Sequence, residues 1–146
     1  MLDLVPHQET QLPATPAELR AKILAWENFA RQQPQVDIPV TQYFSHGVYL
    51  RQINIPAGTI MTGKIHRHRC MSIVLSGEMD VVTDQGYRRV VGPCVFESPA
   101  GVKRAGVCVT DCIWLTAHPY DGGPQDADTM VDLYCVDTFE QLEVQP

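Results

Sequence analysis

The sequence lacks any long hydrophobic run. Hydrophobic residues make up 45% of the 146 positions, but no stretch of about 18 apolar residues occurs that could cross a membrane as a helix. The first ten residues, MLDLVPHQET, contain no basic segment followed by an apolar one, so they do not match a secretory signal. The apolar content suits one folded domain of this length, and we expect the protein in the cytoplasm.

The sequence also lacks the cysteine pattern of a secreted disulfide scaffold. Its five cysteines are an odd number and include no CxxC pair. We therefore interpret most of them as reduced core residues. A glycine-rich phosphate loop, a GxSxG motif and an HExxH motif are all absent from the sequence, which leaves none of the common nucleotide-binding, serine-hydrolase or zinc-protease patterns.

Basic residues are missing from the end of the sequence. Residues 105–146 contain eight acidic side chains and no Lys or Arg, whereas residues 51–104 contain eight basic and four acidic ones, within a net charge of −6. An acidic protein with a basic middle is a poor candidate for binding duplex nucleic acid, which needs an extended cationic face. The basic segment is compatible with holding a small anion, or with charges that only solvate strand faces.

One amphipathic helix is predicted near the start. Residues 1–14 show no periodicity and are interpreted as an arm, and Thr15 to Glu18 (TPAE) form a capping box with proline at the first helical position. Apolar residues then recur on one face at Leu19, Ile23, Trp26 and Ala30. We predict a helix over residues 16–33, ended by Pro34, that packs across an open side of the domain or on a partner subunit.

Short extended runs separated by Gly, Pro and Asp fill residues 40–118. Strands are predicted at 48–55, 60–70, 71–76, 79–83, 87–91, 94–98, 104–109 and 112–118, a spacing typical of a β-sandwich or barrel. Residues 130–136 are predicted as a returning strand and residues 137–140 as the cap of a last helical turn. We expect one domain overall, with an arm and helix over 1–36 and a barrel with an acidic tail over 37–146.

Two segments resemble the paired motifs of the cupins. Residues 62–78 (TGKIHRHRCMSIVLSGE) resemble the first motif, in which a His-x-His pair and then a Glu precede a glycine; here the Glu position holds Cys70, seven residues before Gly77. Residues 92–104 resemble the second motif, with Arg104 where the family has its last metal-binding His. The resemblance implies an all-β double-stranded β-helix, an RmlC-like jelly-roll barrel, preceded by one α-helix.

The resemblance is narrower than cupins at large. Residues 47–53, 55–59, 62–66, 99–106 and 111–118 together are similar to a group of small uncharacterised cupins that bacteriophages and prophages commonly encode. It covers about residues 37–119 and implies a phage origin, in which case the compartment is the host cytosol. It says almost nothing about substrate.

A metal site is one interpretation of the first motif. Alternation along an extended strand sends His66, His68 and Cys70 to one face, which the cupin resemblance makes the barrel interior. Two imidazoles and a thiolate suit zinc, or less well iron or nickel, and His118 is a further ligand if its side chain faces inward. Arg104 argues against a cation, because a guanidinium cannot lose its charge. One bound divalent metal and no metal therefore both stay open.

Arg104 is also a candidate ligand-binding residue. With Lys103 and Lys64 it offers cationic groups suited to phosphate or carboxylate, and Tyr49, Tyr87 or Trp114 offers a flat apolar wall. A tryptophan on a strand is nevertheless more often a core residue. These side chains predict a pocket for a small anionic molecule such as a sugar phosphate or nucleotide.

Three classes of function follow from these expectations. The first is a phage-type binding module that holds a small anionic ligand without clear catalytic apparatus, and we favour it because the motif strands contain neither a paired carboxylate nor the full cupin ligand set. The alternative is a metal-dependent enzyme, an oxygenase or isomerase. A structural or assembly protein of a phage is the third. In each case we expect a homo-oligomer, most simply a dimer, because a short barrel has exposed strand edges.

Overall fold

The computed structural model describes residues 14–143, so the predicted N-terminal arm lies outside the described residues apart from Ala14. Helix α1 spans Pro16–Arg31, two residues shorter than predicted. The capping box is present, since Thr15 Oγ1 accepts a hydrogen bond from the Glu18 amide and the Glu18 carboxylate accepts one from the Thr15 amide. None of the helices in this part of the chain is long and apolar enough to cross a membrane.

Ten antiparallel strands follow the helix. They are β1 (Val40–Ser45), β2 (Gly47–Ile55), β3 (Ile60–Thr62), β4 (Ile65–His66), β5 (Cys70–Ser76), β6 (Glu78–Thr83), β7 (Gly86–Val91), β8 (Cys94–Ser98), β9 (Ala105–Cys108) and β10 (Cys112–Tyr120). The segment that completes the described chain contains α2 (Ala127–Tyr134), β11 (Cys135–Val136) and α3 (Phe139–Glu143).

The strands form two facing sheets. One has the order β1-β2-β10-β5-β8 and the other the order β3-β9-β6-β7, while β4 and β11 pair as a short ladder beside them. The core between the two sheets is apolar, with Ile55, Val74, Met79, Val81 and Trp114 buried at its centre. All five cysteines are free thiols, as predicted, and three of them are buried. The arrangement is the predicted double-stranded β-helix with one N-terminal helix.

A glycine explains the tight turn between β5 and β6. Gly77 has a positive φ of 95°, and a Cβ added there would lie 2.2 Å from the Asp111 carbonyl oxygen. Any other residue would collide with the backbone before β10. The motif glycine of the sequence is thus required by close packing of the two sheets.

Helix α1 packs on the outer face of the β3-β9-β6-β7 sheet. Leu19 and Ile23 are buried there, while Trp26, predicted on the same stripe, is 42% exposed. A buried ion pair fastens the helix, because Lys103 Nζ lies 2.7 Å from Glu27 Oε2 and Thr62 Oγ1 donates to the same carboxylate.

Two predicted strands were wrong in detail. The run 60–70 is broken into β3, β4 and the start of β5, with a bend at residues 67–68. Residues 130–136 are mostly helix α2, not a returning strand; only Cys135–Val136 are extended, as β11. Asp126 caps α2 by accepting from the Thr129 amide, and burial of Met130 holds the helix to the barrel. The predicted helical turn after residue 137 is present as α3.

Candidate ligand and metal site

A cavity of about 610 Å³ lies between the two sheets. Strands β2 and β10 form one wall, and their register places His118 opposite Tyr49 and Thr116 opposite Arg51. Because side chains alternate along a strand, these four residues share one face, and all four line the cavity. The predicted wall residues Tyr49 and Trp114 are both there, whereas Tyr87 is exposed on β7 and does not line the cavity.

Three metal-ligating side chains meet at one end of the cavity. His66 on β4, Cys70 at the start of β5 and His118 on β10 have their donor atoms within 4.8 Å of one another. Cys70 Sγ lies 3.7 Å from His66 Nδ1, and His118 Nε2 lies 3.1 Å from Thr116 Oγ1. Three elements distant in sequence therefore bring two imidazoles and a thiol together.

His68 is not part of this cluster, contrary to the expectation from alternation. The chain bends at Arg67 and His68, and the His68 side chain is exposed. The bend is fixed where the Arg67 amide donates to the Tyr134 carbonyl oxygen. Alternation holds only along a continuous strand, and β4 ends at His66, so Cys70 reaches the cluster from a new strand.

Burial keeps both clustered histidines neutral. Desolvation lowers the pKa of His66 to about 4, with a further contribution from the Arg104 charge. Desolvation likewise lowers the pKa of His118 to about 4, helped by the neighbouring His66 and by Arg51. The pKa of the Cys70 thiol is raised by burial, against the opposing effect of Arg104. At neutral pH the cluster thus presents two neutral imidazoles and a protonated thiol.

Arg104 extends along the cavity wall. Its Nη2 donates to Ser98 Oγ at 3.1 Å, and its guanidinium lies 5.5 Å from the centre of the Trp114 ring. Burial lowers the pKa of Arg104, and the charge of nearby Arg88 adds to that effect. No carboxylate pairs with Arg104 among residues 14–143.

Arg51 is a second guanidinium at the cavity, which the sequence analysis missed. Its Nε atom is buried and has no hydrogen-bond partner in the described part of the chain. The positive charge of Arg51 contributes to the lowered pKa values of both His66 and His118. The sequence did hold a signal for it, because Tyr49, Arg51 and Ile53 alternate along β2, so an arginine on the face of Tyr49 must face inward.

The two predicted lysines are placed differently. Lys64 lines the cavity, but its Nζ lies 3.0 Å from Asp137 Oδ1, and its side chain is 43% exposed. The prediction that Lys103 contacts the ligand is corrected, because Lys103 does not line the cavity. Its buried ammonium pairs with Glu27 and donates to the Gly63 carbonyl oxygen at 3.1 Å. Both residues precede β9, and of the two only Arg104 lines the cavity.

The C-terminal segment adds a wall that the sequence analysis did not predict. Met130 and Tyr134 of α2 and Cys135 of β11 line the cavity. The Tyr134 ring stacks on the His118 ring at 4.3 Å between centroids. Cys135 is directly opposite His66 in the β4-β11 ladder. Helix α2 and β11 therefore cover the metal-ligating end of the barrel.

The fold is also found in solved structures, although no family model and no curated protein matches the sequence. KdgF from Halomonas sp. is 16% identical over 67% of this chain and 90% of that one, with a TM-score of 0.51. A cupin superfamily protein from Desulfitobacterium hafniense is 15% identical over 62% and 84%, with a TM-score of 0.49. An RmlC-like cupin from Shewanella frigidimarina is 23% identical over 65% and 89%, with a TM-score of 0.48.

The chain has the cupin fold. Identities this low show the fold and no more, so the function must be argued from the cavity itself. The cupin motifs that the sequence resembles imply a site of three His and one Glu, and this chain departs from that set. Cys70 takes the Glu position and Arg104 a His position, while His118 reaches the cluster from β10.

The donor set fits a transition metal of the zinc type. Zn²⁺ binds imidazole nitrogen and thiolate sulfur, and three protein ligands leave a fourth position open. The low pKa values of His66 and His118 leave their nitrogen lone pairs free, and the thiol of Cys70 would lose its proton on binding. A thiolate there would also offset part of the positive charge of Arg51 and Arg104.

Proposed function

We propose that this cupin binds a small organic anion in the barrel. The observation that supports this best is the pair of guanidiniums, Arg51 and Arg104, that line one cavity without a carboxylate partner among the residues described. Partly buried charges are costly unless they are paired, and the Nε of Arg51 is buried with no acceptor. A carboxylate or phosphate on the ligand supplies the missing acceptors.

The rest of the cavity is suited to the apolar part of such a ligand. Ile53, Ile55, Met61 and Trp114 line it, and Tyr49 adds an aromatic face. Cavities of several hundred Å³ that combine an apolar lining with a few convergent polar groups are the usual form of small-molecule sites. The anionic group lies toward the arginines, and the organic part lies against these side chains.

The first test is anion binding by titration calorimetry. The probes are 3-phenylpropionate, glucose 6-phosphate and AMP, each compared with a neutral counterpart, and at least one anion is expected to bind where its neutral counterpart does not. Arg104→Ala should weaken that affinity at least about tenfold, because charge-assisted hydrogen bonds contribute about 1.5–3 kcal/mol each. Arg104→Lys should restore little, because it lacks the planar fork.

Arg69→Ala is the matched control, because Arg69 has a 78% exposed side chain and does not line the cavity. Its affinity for the anion should be unchanged. If Arg104→Ala lowers the melting temperature but leaves anion affinity intact, Arg104 is a structural residue and the proposal fails. Absence of binding by every anion also overturns it.

A metal-dependent reaction of the oxygenase or isomerase class is the second candidate, supported by the His66–Cys70–His118 cluster. These three residues would hold the ion, and Arg51 and Arg104 would hold an anionic substrate beside it. A divalent ion supplies a Lewis acid that polarises substrate oxygens. The protein's own part is to keep both imidazoles neutral and to exclude water with the α2–β11 wall.

Elemental analysis combined with native mass spectrometry tests the metal site. We expect close to one transition-metal ion per chain, lost in the double variant His66→Ala/His118→Ala and retained in His68→Ala, since His68 is exposed outside the cluster. Chelation should also lower the melting temperature, because an ion that binds only the folded state stabilises it. A protein that stays metal-free after refolding with zinc, iron and nickel in turn has no such site.

A further inference from the structure

The acidic tail meets the basic interior at the cavity. Helix α2 presents Asp128, Val131 and Asp132 to the cavity, at the i, i+3, i+4 spacing of one helix face. Both aspartates are exposed, and neither forms an ion pair within residues 14–143. The cavity therefore has two free guanidiniums on the barrel wall and two free carboxylates on the helix that covers it.

A purely anionic ligand does not use this arrangement fully. Its charge is attracted by Arg51 and Arg104 but repelled by Asp128 and Asp132. A ligand with an anionic group at one end and an ammonium at the other pairs with both sets at once. The cavity also has an apolar lining, which includes Trp114 and accommodates the uncharged part of the molecule.

We propose that the ligand is zwitterionic, with a carboxylate or phosphate toward Arg51 and Arg104 and an ammonium toward Asp128 and Asp132. The inference rests on the proposed anion-binding function, and it narrows the ligand class for the same cavity. Asp128 and Asp132 act as specificity-determining residues, because they favour an amine-bearing anion over the same anion without the amine.

Matched probes that differ only in the amino group test this inference. The pairs are 5-aminopentanoate and pentanoate, 6-aminohexanoate and hexanoate, and 3-aminopropyl phosphate and propyl phosphate, titrated into the protein by calorimetry. In at least one pair the amino compound should bind about fivefold more tightly. The factor is modest because exposed ion pairs are screened by solvent and salt.

The double variant Asp128→Asn/Asp132→Asn keeps the side-chain shape and removes the charge. It should abolish the preference for the amino compound, and it should leave the affinity for the plain anion equal or higher. Glu140→Gln on α3 is the matched control, since Glu140 is exposed and does not line the cavity, and it should keep the preference. Melting temperatures of both variants report whether the fold is kept.

The outcomes separate the two proposals. If plain anions bind and the amino group makes no difference in any pair, the zwitterion inference is wrong while the anion-binding function stands. A preference that survives the double variant also contradicts the inference, because it then arises elsewhere. If no compound of any pair binds, the anion-binding function fails and the inference fails with it.

Discussion

His66 and His118 form a pair of buried imidazoles whose charge state depends on the fold. Their side chains lie 5.6 Å apart between ring centroids, and each has its pKa lowered to about 4, first by desolvation. In the unfolded chain a histidine has a pKa near 6.5. Between pH 6.5 and 4 the unfolded chain therefore binds more protons than the folded protein.

We predict that the metal-free protein loses stability on acidification across this window. Since the unfolded state binds the extra protons, the two rings lower the free energy of unfolding progressively as the pH drops from about 6.5 to about 4, and their effect is constant below that. The contribution is on the order of 3 kcal/mol for one such ring. Urea unfolding of chelator-treated protein at several pH values measures it.

The double variant His66→Gln/His118→Gln should show a flatter dependence of unfolding free energy on pH, because the titrating rings are gone. His68→Gln serves as the control and should follow the unmodified protein. Equal stability of the unmodified protein at pH 4.5 and pH 7 would show that the rings are not desolvated as described.

Individual site residues were predictable where a motif or a strand face identified them. His66, Cys70 and Arg104 stand at cupin motif positions, and the structure brings all three to the cavity end of the barrel. His68 and Lys103 were misplaced because spacing in sequence does not show where a strand ends or which of two adjacent side chains faces inward. Arg51 lies outside the motifs, so only inward alternation on β2 could have identified it.

At the scale of elements, strand and turn signals predicted most of the sheet. The Gly-rich and Pro-rich turns separate the strands because they allow backbone conformations that other residues resist, as Gly77 does with its positive φ. The break in the run 60–70 goes with tertiary pairing, since β3 pairs with β9 whereas β4 pairs with β11. No local pattern reveals such a contact.

The error at α2 has a local cause. Residues 130–136 (MVDLYCV) contain apolar and β-branched residues that suit a strand by composition. Asp126 and Thr129 form an N-terminal cap just before them, and this signal outweighed the strand propensity. The consequence for the site is large, because a helix, unlike a strand, places Asp128, Val131 and Asp132 on one face, and all three line the cavity.

At the scale of the molecule, the uneven charge of the sequence has a spatial meaning. The basic segment supplies the cationic wall of the barrel through Arg51 and Arg104, and the acidic tail supplies the cover through α2. The two segments, 105–146 and 51–104, are thereby apposed across one cavity. Both ligand proposals are based on this arrangement of charges.

Within residues 14–143, several large apolar side chains are exposed on the outer surface. On α1, Trp26 and Phe29 are 42% and 52% exposed, and Tyr87 on the neighbouring sheet is 71% exposed. The three side chains line a single groove between the helix and the outer face of β6, β7 and β9. An exposed groove with large apolar side chains on a small domain is typical of a surface that a second subunit covers.

We therefore propose that two copies of the chain pair through the α1 groove, and predict a mass near twice the 16.3 kDa of one chain in light scattering at micromolar concentration. The double variant Trp26→Glu/Phe29→Glu should give the mass of one chain, because burying two carboxylates in an apolar contact is unfavourable.

Val95→Glu is the matched control, since Val95 is 62% exposed on β8 and does not line the groove. A single-chain mass for the unmodified protein contradicts the proposal, and a dimer that survives the double variant but dissociates in Val95→Glu places the interface at the β8 edge instead. Because a symmetric dimer uses the same patch twice, one substitution acts on both subunits, and a modest loss per chain suffices to separate them.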